Sequence, residues 1–134
     1  MKIYFDENFA YQIPKALNIL QKPCDDEEIE VYSISEIFGR GAKDEDWIPK
    51  VAEEAGIVIT QDLKIQYTKQ QRELYNQYNL GAVFLKPPSK KGYKYWEQVT
   101  KIFISWESIK EIALNGKRPF SYIIRPRSKK LEEL

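Results

Sequence analysis

The sequence contains no histidine, a single cysteine (Cys24) and no apolar run long enough to span a bilayer. The missing histidine excludes Ser-His-Asp and Cys-His catalysis, and the single cysteine excludes an internal disulfide and a Cys/His zinc cage. The acidic residues 25–28 beside Cys24 should raise the pKa of its thiol, which disfavours a reactive nucleophile. If the chain is an enzyme without an organic cofactor, carboxylates must carry its chemistry.

The length of 134 residues is enough for one domain with its own core, and the apolar fraction of 43% is that of an ordinary globular chain. The N-terminus reaches Asp6 after only a short apolar stretch, which a secretory signal does not do. We therefore expect a soluble, cytoplasmic protein that does not associate with a membrane.

Charge is distributed unevenly along the chain. Residues 1–85 carry 9 basic against 15 acidic side chains, whereas residues 86–134 carry 12 basic against 5 acidic ones. Ordinary solvated faces are one interpretation of this asymmetry. The other is a metal-binding acidic site next to a surface that attracts phosphate.

Short β-rich runs alternate with patterns of helical spacing, and this order favours a mostly parallel sheet covered on both sides. The strands are predicted at residues 2–5, 30–34, 57–60 and 81–85, and the helices at about 13–20, 44–55, 67–78 and 95–113.

The end of the chain is set apart by its basic composition. It holds one candidate strand, residues 120–124, and then the basic run 125–130. We therefore divide the chain into a domain of residues 1–119 and a basic C-terminal tail of residues 120–134, where flexibility is most expected.

Three aspartates fall where a parallel sheet places its active site, beyond the carboxyl ends of the strands. Asp6 follows the first predicted strand, Asp62 follows the third, and Asp44 opens the helix that leads into the third. Each alone could be a loop residue or part of an acidic first helical turn. Together, three crowded carboxylates would need a cation such as Mg²⁺, whose chemistry with bound water suits phosphodiester hydrolysis without histidine.

Three short motifs resemble the PIN-like superfamily, closest to the PIN-like domains of VapC-type toxins from toxin–antitoxin pairs. They are Asp6-Glu7-Asn8, residues 41–48 (GAKDEDWI) and Ile59-Thr60-Gln61-Asp62. The resemblance extends from Met1 to about Pro119. It implies a three-layer α/β/α sandwich, a Mg²⁺ or Mn²⁺ site and endoribonuclease activity, often restrained by an antitoxin protein.

The resemblance also implies roles for individual residues. Asp6 matches the aspartate after the first strand, Asp44 the one before the helix of the second motif, and Asp62 the aspartate of the Thr-x-Asp motif. All three would be catalytic metal ligands, direct or through water. Asp46 competes with Asp44 for the second position, because either could point into the site from the start of the helix.

PIN nucleases commonly carry a fourth acid, for which the sequence offers no clear match; Glu7, Glu45 or Asp46 could substitute. The missing acid favours an alternative, a non-catalytic PIN-like module that binds nucleic acid or a partner protein. A receiver-like phosphoacceptor domain is a third hypothesis, since acidic residues and Lys86 also follow successive strands. In that hypothesis Asp44 has no role.

The segment after the fourth predicted strand interleaves basic and aromatic residues, as in proteins that grip single-stranded nucleic acid. Its candidate RNA-binding residues are Lys86, Lys90, Lys91 and Lys94. The aromatic pair 95–96 could instead begin the apolar face of the last helix. RNA and an antitoxin are the expected partners, and a homodimer is left open.

Overall fold

The structure is a computed structural model that describes residues 1–61 and 65–134. Six strands form one sheet in the order β2-β1-β3-β4-β5-β6; β1 to β5 are parallel and β6 is antiparallel to β5. The strands are β1 Lys2–Phe5, β2 Glu30–Ser33, β3 Ile57–Gln61, β4 Gly81–Leu85, β5 Phe120–Ile124 and β6 Leu131–Glu133. The helices are α1 Gln12–Gln21, α2 Ile34–Phe38, α3 Asp44–Glu53, α4 Ile65–Gln77 and α5 Tyr95–Asn115, with a 3₁₀ turn at Asp25–Glu27.

Helices cover both faces of the sheet, because successive side chains of a strand point to opposite sides. Phe5 and Ile59 lie in one core cluster with residues of α1 and α5. Tyr4 and Val58 lie in a second cluster, with residues of α3 and α4. The predicted three-layer α/β/α sandwich with a mostly parallel sheet is confirmed.

The two central strands, β3 and β4, are buried at every position. Their uninterrupted apolar runs belong to strands covered on both faces. β1 to β5 all run in the same direction, so their carboxyl ends meet along one side of the sheet. We call this side the carboxyl edge.

Residues 120–134, described from sequence as a tail with one candidate strand, add two strands to the sheet. β5 lies between β4 and β6, and four of its five side chains are buried. β6 is short and charged, and its position is fixed by the ion pair of Arg125 with Glu132 at 2.9 Å and by the bond from Leu134 N to Ser121 O at 2.9 Å. A short polar edge strand gives no apolar alternation, so sequence patterning could not identify it.

None of the helices in the described ranges is both long and apolar enough to cross a membrane.

Candidate active site

Asp6 lies at the centre of the carboxyl edge. It follows β1 directly, and its backbone N–H donates to Ile59 O of β3 at 3.0 Å. The strand order 2-1-3-4-5 reverses between β1 and β3, and open α/β sheets bind their ligands at such a switch point. The first predicted aspartate is therefore located where the topology opens a crevice.

Three donors hold the Asp6 carboxylate. The Thr60 hydroxyl and the Gln61 N–H (3.2 Å) donate to Oδ2, and the Asn8 N–H donates to Oδ1 at 3.1 Å. Burial nevertheless raises the pKa of Asp6 to about 7, with a contribution from the negative charge of Glu7, while the three hydrogen bonds lower it. Burial thus outweighs the donors, so a cation beside this carboxylate would favour its charged form.

Asp44 is the first residue of α3 and points a carboxylate towards the same region. Its Oδ1 accepts a hydrogen bond from Trp47 Nε1 at 3.2 Å. Burial raises the pKa of Asp44, the bond from Trp47 lowers it, and the charge of Glu7 raises it further. Trp47 is itself only 4% exposed within the α3/α4 core, so it provides a rigid support for Asp44.

A glycine-containing loop leads the chain from α2 into Asp44. Gly39 has φ +94° and ψ +154°, a backbone region that is essentially restricted to glycine, and Gly41 has φ +71°. Ala42 N donates back to Gly39 O at 3.3 Å and closes the turn. The glycines predicted as loop punctuation therefore set the direction from which α3 begins.

A cleft of about 70 Å³ joins these parts. Asp6 and Asp44 both line it, together with Glu7, whose charge raises the pKa of both aspartates. We call this space the acidic cleft. Its other lining residues are Asn8, Ile34, Ser35, Gly39, Ala42, Trp47, Gln71 and Tyr75.

Gln71, which sequence reasoning missed, contributes an amide to the acidic cleft from α4. Its Oε1 is buried and has no hydrogen-bond partner among the described residues. Buried acceptors are normally satisfied, so Gln71 is a cleft residue with an acceptor whose partner the described residues do not supply. A polar residue in a polar helix gives no sequence signal for such a role.

The structure separates the predicted acids. Asp6 and Asp44 share the acidic cleft, whereas Asp46 is exposed and does not line it. Asp62 lies outside the described residues, so the predicted cluster of three aspartates stays a prediction. Within residues 1–61 and 65–134, no group of three or more acidic or cysteine side chains is close enough to hold a metal ion.

The predicted RNA-binding lysines come after β4 in the sequence, where that strand reaches the carboxyl edge. Lys86 comes directly after β4, where its N–H donates to Ile124 O at 3.0 Å and its carbonyl accepts from the Tyr93 hydroxyl at 3.0 Å. The other three side chains, Lys90, Lys91 and Lys94, are exposed. The turn between them is closed by Gly92 N, which donates to Ser89 O at 3.0 Å.

Comparison with known proteins identifies the family to which this chain belongs. A family described as "PIN like domain" matches residues 1–87, a range that contains β1 to β4 and the whole acidic cleft. The chain belongs to this PIN-like domain family, which makes it a nuclease-type or nucleic-acid-related module. No curated protein and no solved structure matches it.

The strand order is shared by flavodoxin-like and receiver-like sheets, so it does not by itself exclude the receiver-like hypothesis. The family match and the presence of Asp44 in the cleft both favour the PIN-like assignment.

Proposed function

We propose that this chain is a divalent-metal-dependent endoribonuclease whose active site is the acidic cleft. The observation that carries the proposal is the convergence of Asp6 and Asp44, 38 positions apart in the sequence, on one cleft of a PIN-like fold. Asp62 follows β3 directly, and β3 pairs with β1, so we include it as the third acid of the site.

The residues of the cleft fit a hard cation such as Mg²⁺ or Mn²⁺. Mg²⁺ is typically held by one or two carboxylates, several waters and the phosphate of the substrate, so Asp6 and Asp44 suffice without a dense acidic cluster. Gln71 would add a neutral oxygen, since its Oε1 has no hydrogen-bond partner in the part of the chain that the structure describes. Asp46 is left out of the proposed ligand set, because it does not line the cleft. When bound, the ion would activate water and stabilise the negative charge that develops on the phosphate.

The protein's own residues would orient this chemistry. The donors from Asn8, Thr60 and Gln61 allow the Asp6 carboxylate little freedom to rotate, and the Trp47 indole does the same for Asp44. Fixed carboxylates reduce the reorganisation that positioning of the reactants would otherwise need.

Substrate phosphates would be held on the basic side of the carboxyl edge. Lys86, Lys90, Lys91 and Lys94 follow β4, which is two strands away from β1 in the sheet. At ordinary strand spacing β1 and β4 are about 10 Å apart, a separation that neighbouring nucleotides of one RNA strand can span. Cations there would attract the RNA backbone without reading its sequence.

We extend the proposal to the biological role that the VapC resemblance implies, a toxin restrained by an antitoxin protein in the cytoplasm. A homodimer is compatible with this fold, because β2 and β6 are the edge strands of the sheet. Growth arrest on expression, relieved by the product of an adjacent gene, is the expected observation.

A non-catalytic PIN-like module is the second candidate function. The sequence offers no clear match for the fourth acid that PIN nucleases commonly carry, and this favours a domain that binds RNA without cutting it. Such a domain would retain RNA affinity in the presence of Mg²⁺ or Mn²⁺ and produce no new termini.

The deciding experiment measures cleavage of single-stranded and structured RNA with Mg²⁺, Mn²⁺ or EDTA. We expect metal-dependent cleavage by the wild type, and a loss of orders of magnitude in Asp6→Asn, Asp44→Asn and Asp62→Asn while the fold survives by circular dichroism. Asp46→Asn is the matched control, since it removes an acid two residues from Asp44 that does not line the cleft. Equal cleavage by wild type and cleft variants would point to a contaminating nuclease and reject the proposed site.

A further inference from the structure

A second concave surface lies on the α5 side of the carboxyl edge. It is a groove of about 540 Å³ between the first turns of α5 and the segment 125–130 that follows β5. We call it the α5 groove. Apolar side chains and cations both line it, chiefly Tyr93, Trp96, Ile104, Lys101, Arg127 and Lys129.

Trp96 is the most exposed large apolar side chain of this surface. It is 72% exposed and belongs to neither core cluster, so it does not begin the buried face of α5 as the sequence allowed. The Tyr95 ring is nearly perpendicular to it, with ring centroids 5.4 Å apart and an interplanar angle of 83°. An indole with this exposure has ring surface available for the stacking of a base.

The far wall of the α5 groove is fixed to the helix. The Lys101 ammonium donates to Pro126 O at 3.1 Å and also to Ser128 O, which ties the segment after β5 to the second turn of α5. Arg127 and Lys129, on this segment, are exposed and form no ion pair within the described parts of the chain. The groove is thus preformed and keeps two cations available.

One hydrogen bond connects the first turns of α5 to the segment that follows Asp6. Gln98, two residues after Trp96, accepts a hydrogen bond from Ala10 N at 3.1 Å. Ala10 lies four residues beyond Asp6 in the loop between β1 and α1. The acidic cleft lies on the α3/α4 side of the sheet and the groove on the α5 side, so a nucleic-acid strand that reaches both would cross the carboxyl edge.

We propose that the α5 groove binds unpaired nucleotides of single-stranded RNA at the same edge of the sheet as the proposed cleavage site, with a base stacked on Trp96 and phosphates near Arg127 and Lys129. This inference rests on the proposed function, which makes RNA the substrate of this protein. Charge complementarity also admits an acidic peptide. RNA is favoured because the exposed aromatic face serves a base, and because the groove lies on the same edge as the acidic cleft.

The test measures RNA affinity separately from cleavage. Asp6→Asn in the full chain provides a background in which RNA should stay intact, and fluorescence anisotropy of a labelled single-stranded RNA reports binding. We expect Trp96→Ala to raise the Kd about tenfold, as for the loss of one stacked base, and Trp96→Phe to recover most of the affinity. Arg127→Gln with Lys129→Gln should reduce the slope of log K against log salt by about 1.4, or 0.7 per lost phosphate contact.

Matched controls remove similar groups from the opposite edge of the sheet. Tyr78→Ala removes an exposed aromatic side chain at the end of α4, and Lys22→Gln with Lys117→Gln removes two exposed cations after α1 and α5. Their Kd values should stay within about twofold of the background, the size of a neutral surface substitution.

The possible outcomes allow the groove proposal and the nuclease proposal to be judged independently. If the groove variants bind RNA no more weakly than the matched controls, or if no RNA binds, the α5 groove proposal is overturned whether or not the wild type cleaves RNA. If a polyglutamate peptide binds in a Trp96-dependent manner while RNA affinity ignores Trp96, the groove is a peptide site and the proposal is again overturned. Trp96-dependent RNA binding by a wild type that cuts nothing supports the groove and rejects the nuclease.

Discussion

Thr60 donates a hydrogen bond from its hydroxyl to Oδ2 of Asp6 and so joins the carboxyl ends of two neighbouring parallel strands. Thr60 is 1% exposed in the fully buried strand β3, so the donor is fixed by the core. The bond lowers the pKa of Asp6 against the effect of burial. Thr60 is therefore a positioning residue that favours the charged form of the proposed ligand.

Replacing Thr60 by valine removes the hydroxyl and preserves the side-chain shape. We expect Mn²⁺ affinity to fall at least about tenfold, because a hydrogen bond to a charged group contributes about 1.5–3 kcal/mol and 1.4 kcal/mol corresponds to a factor of ten. Isothermal titration calorimetry measures the effect. Thr60→Ser keeps the donor and should bind Mn²⁺ much as the wild type does. Equal losses in both variants would indicate a packing effect and would contradict the role of the hydroxyl.

The stability of the metal-free protein should report the raised pKa of Asp6. Burial raises this pKa from 3.8 to about 7, so folding favours the protonated carboxyl. The stabilisation is complete below about pH 4 and is lost as the pH rises to about 7. The melting temperature of the wild type minus that of Asp6→Asn should therefore fall between pH 4 and 7. The control is the same comparison with Asp46→Asn. A melting-temperature difference between wild type and Asp6→Asn that does not change with pH would contradict the raised pKa of Asp6.

A comparison of two buried tryptophans tests whether Trp47 positions Asp44 or only packs in the core. Trp47 and Trp106 each donate an indole hydrogen bond, the first to Asp44 at 3.2 Å and the second to Gln21 at 3.0 Å in the other core. Trp47→Phe and Trp106→Phe should both lower the free energy of unfolding, by about 1–3 kcal/mol. Only Trp47→Phe should also weaken Mn²⁺ binding. The measurements are urea denaturation and calorimetric titration, and parallel effects on metal binding would remove Trp47 from the site.

The sequence carried enough information for the layered fold and for part of the candidate site. Continuous apolar runs predicted β3 and β4, and the position of Asp6 after β1 predicted its place at the carboxyl edge. The roles of Thr60 and Gln71 depend on contacts between distant segments, which no local pattern encodes. The five-residue helix α2 is too short for helical periodicity to be recognised.

Substitutions of Gln71 should affect the stability of the protein and its Mn²⁺ affinity in opposite directions. Its buried Oε1 has no hydrogen-bond partner within the described residues, and such an acceptor costs about 1–3 kcal/mol of stability. Gln71→Leu removes that acceptor at similar volume, so the metal-free variant should be at least as stable as the wild type in urea denaturation. If the amide oxygen binds the proposed cation or its water, the same variant should bind Mn²⁺ several-fold more weakly, and Gln71→Glu should bind it more tightly.

The control is Gln70→Leu, which changes an exposed neighbour on α4 that does not line the cleft. Unchanged Mn²⁺ affinity in both Gln71 variants would leave Asp6 and Asp44 as the proposed ligands and exclude a contribution from α4.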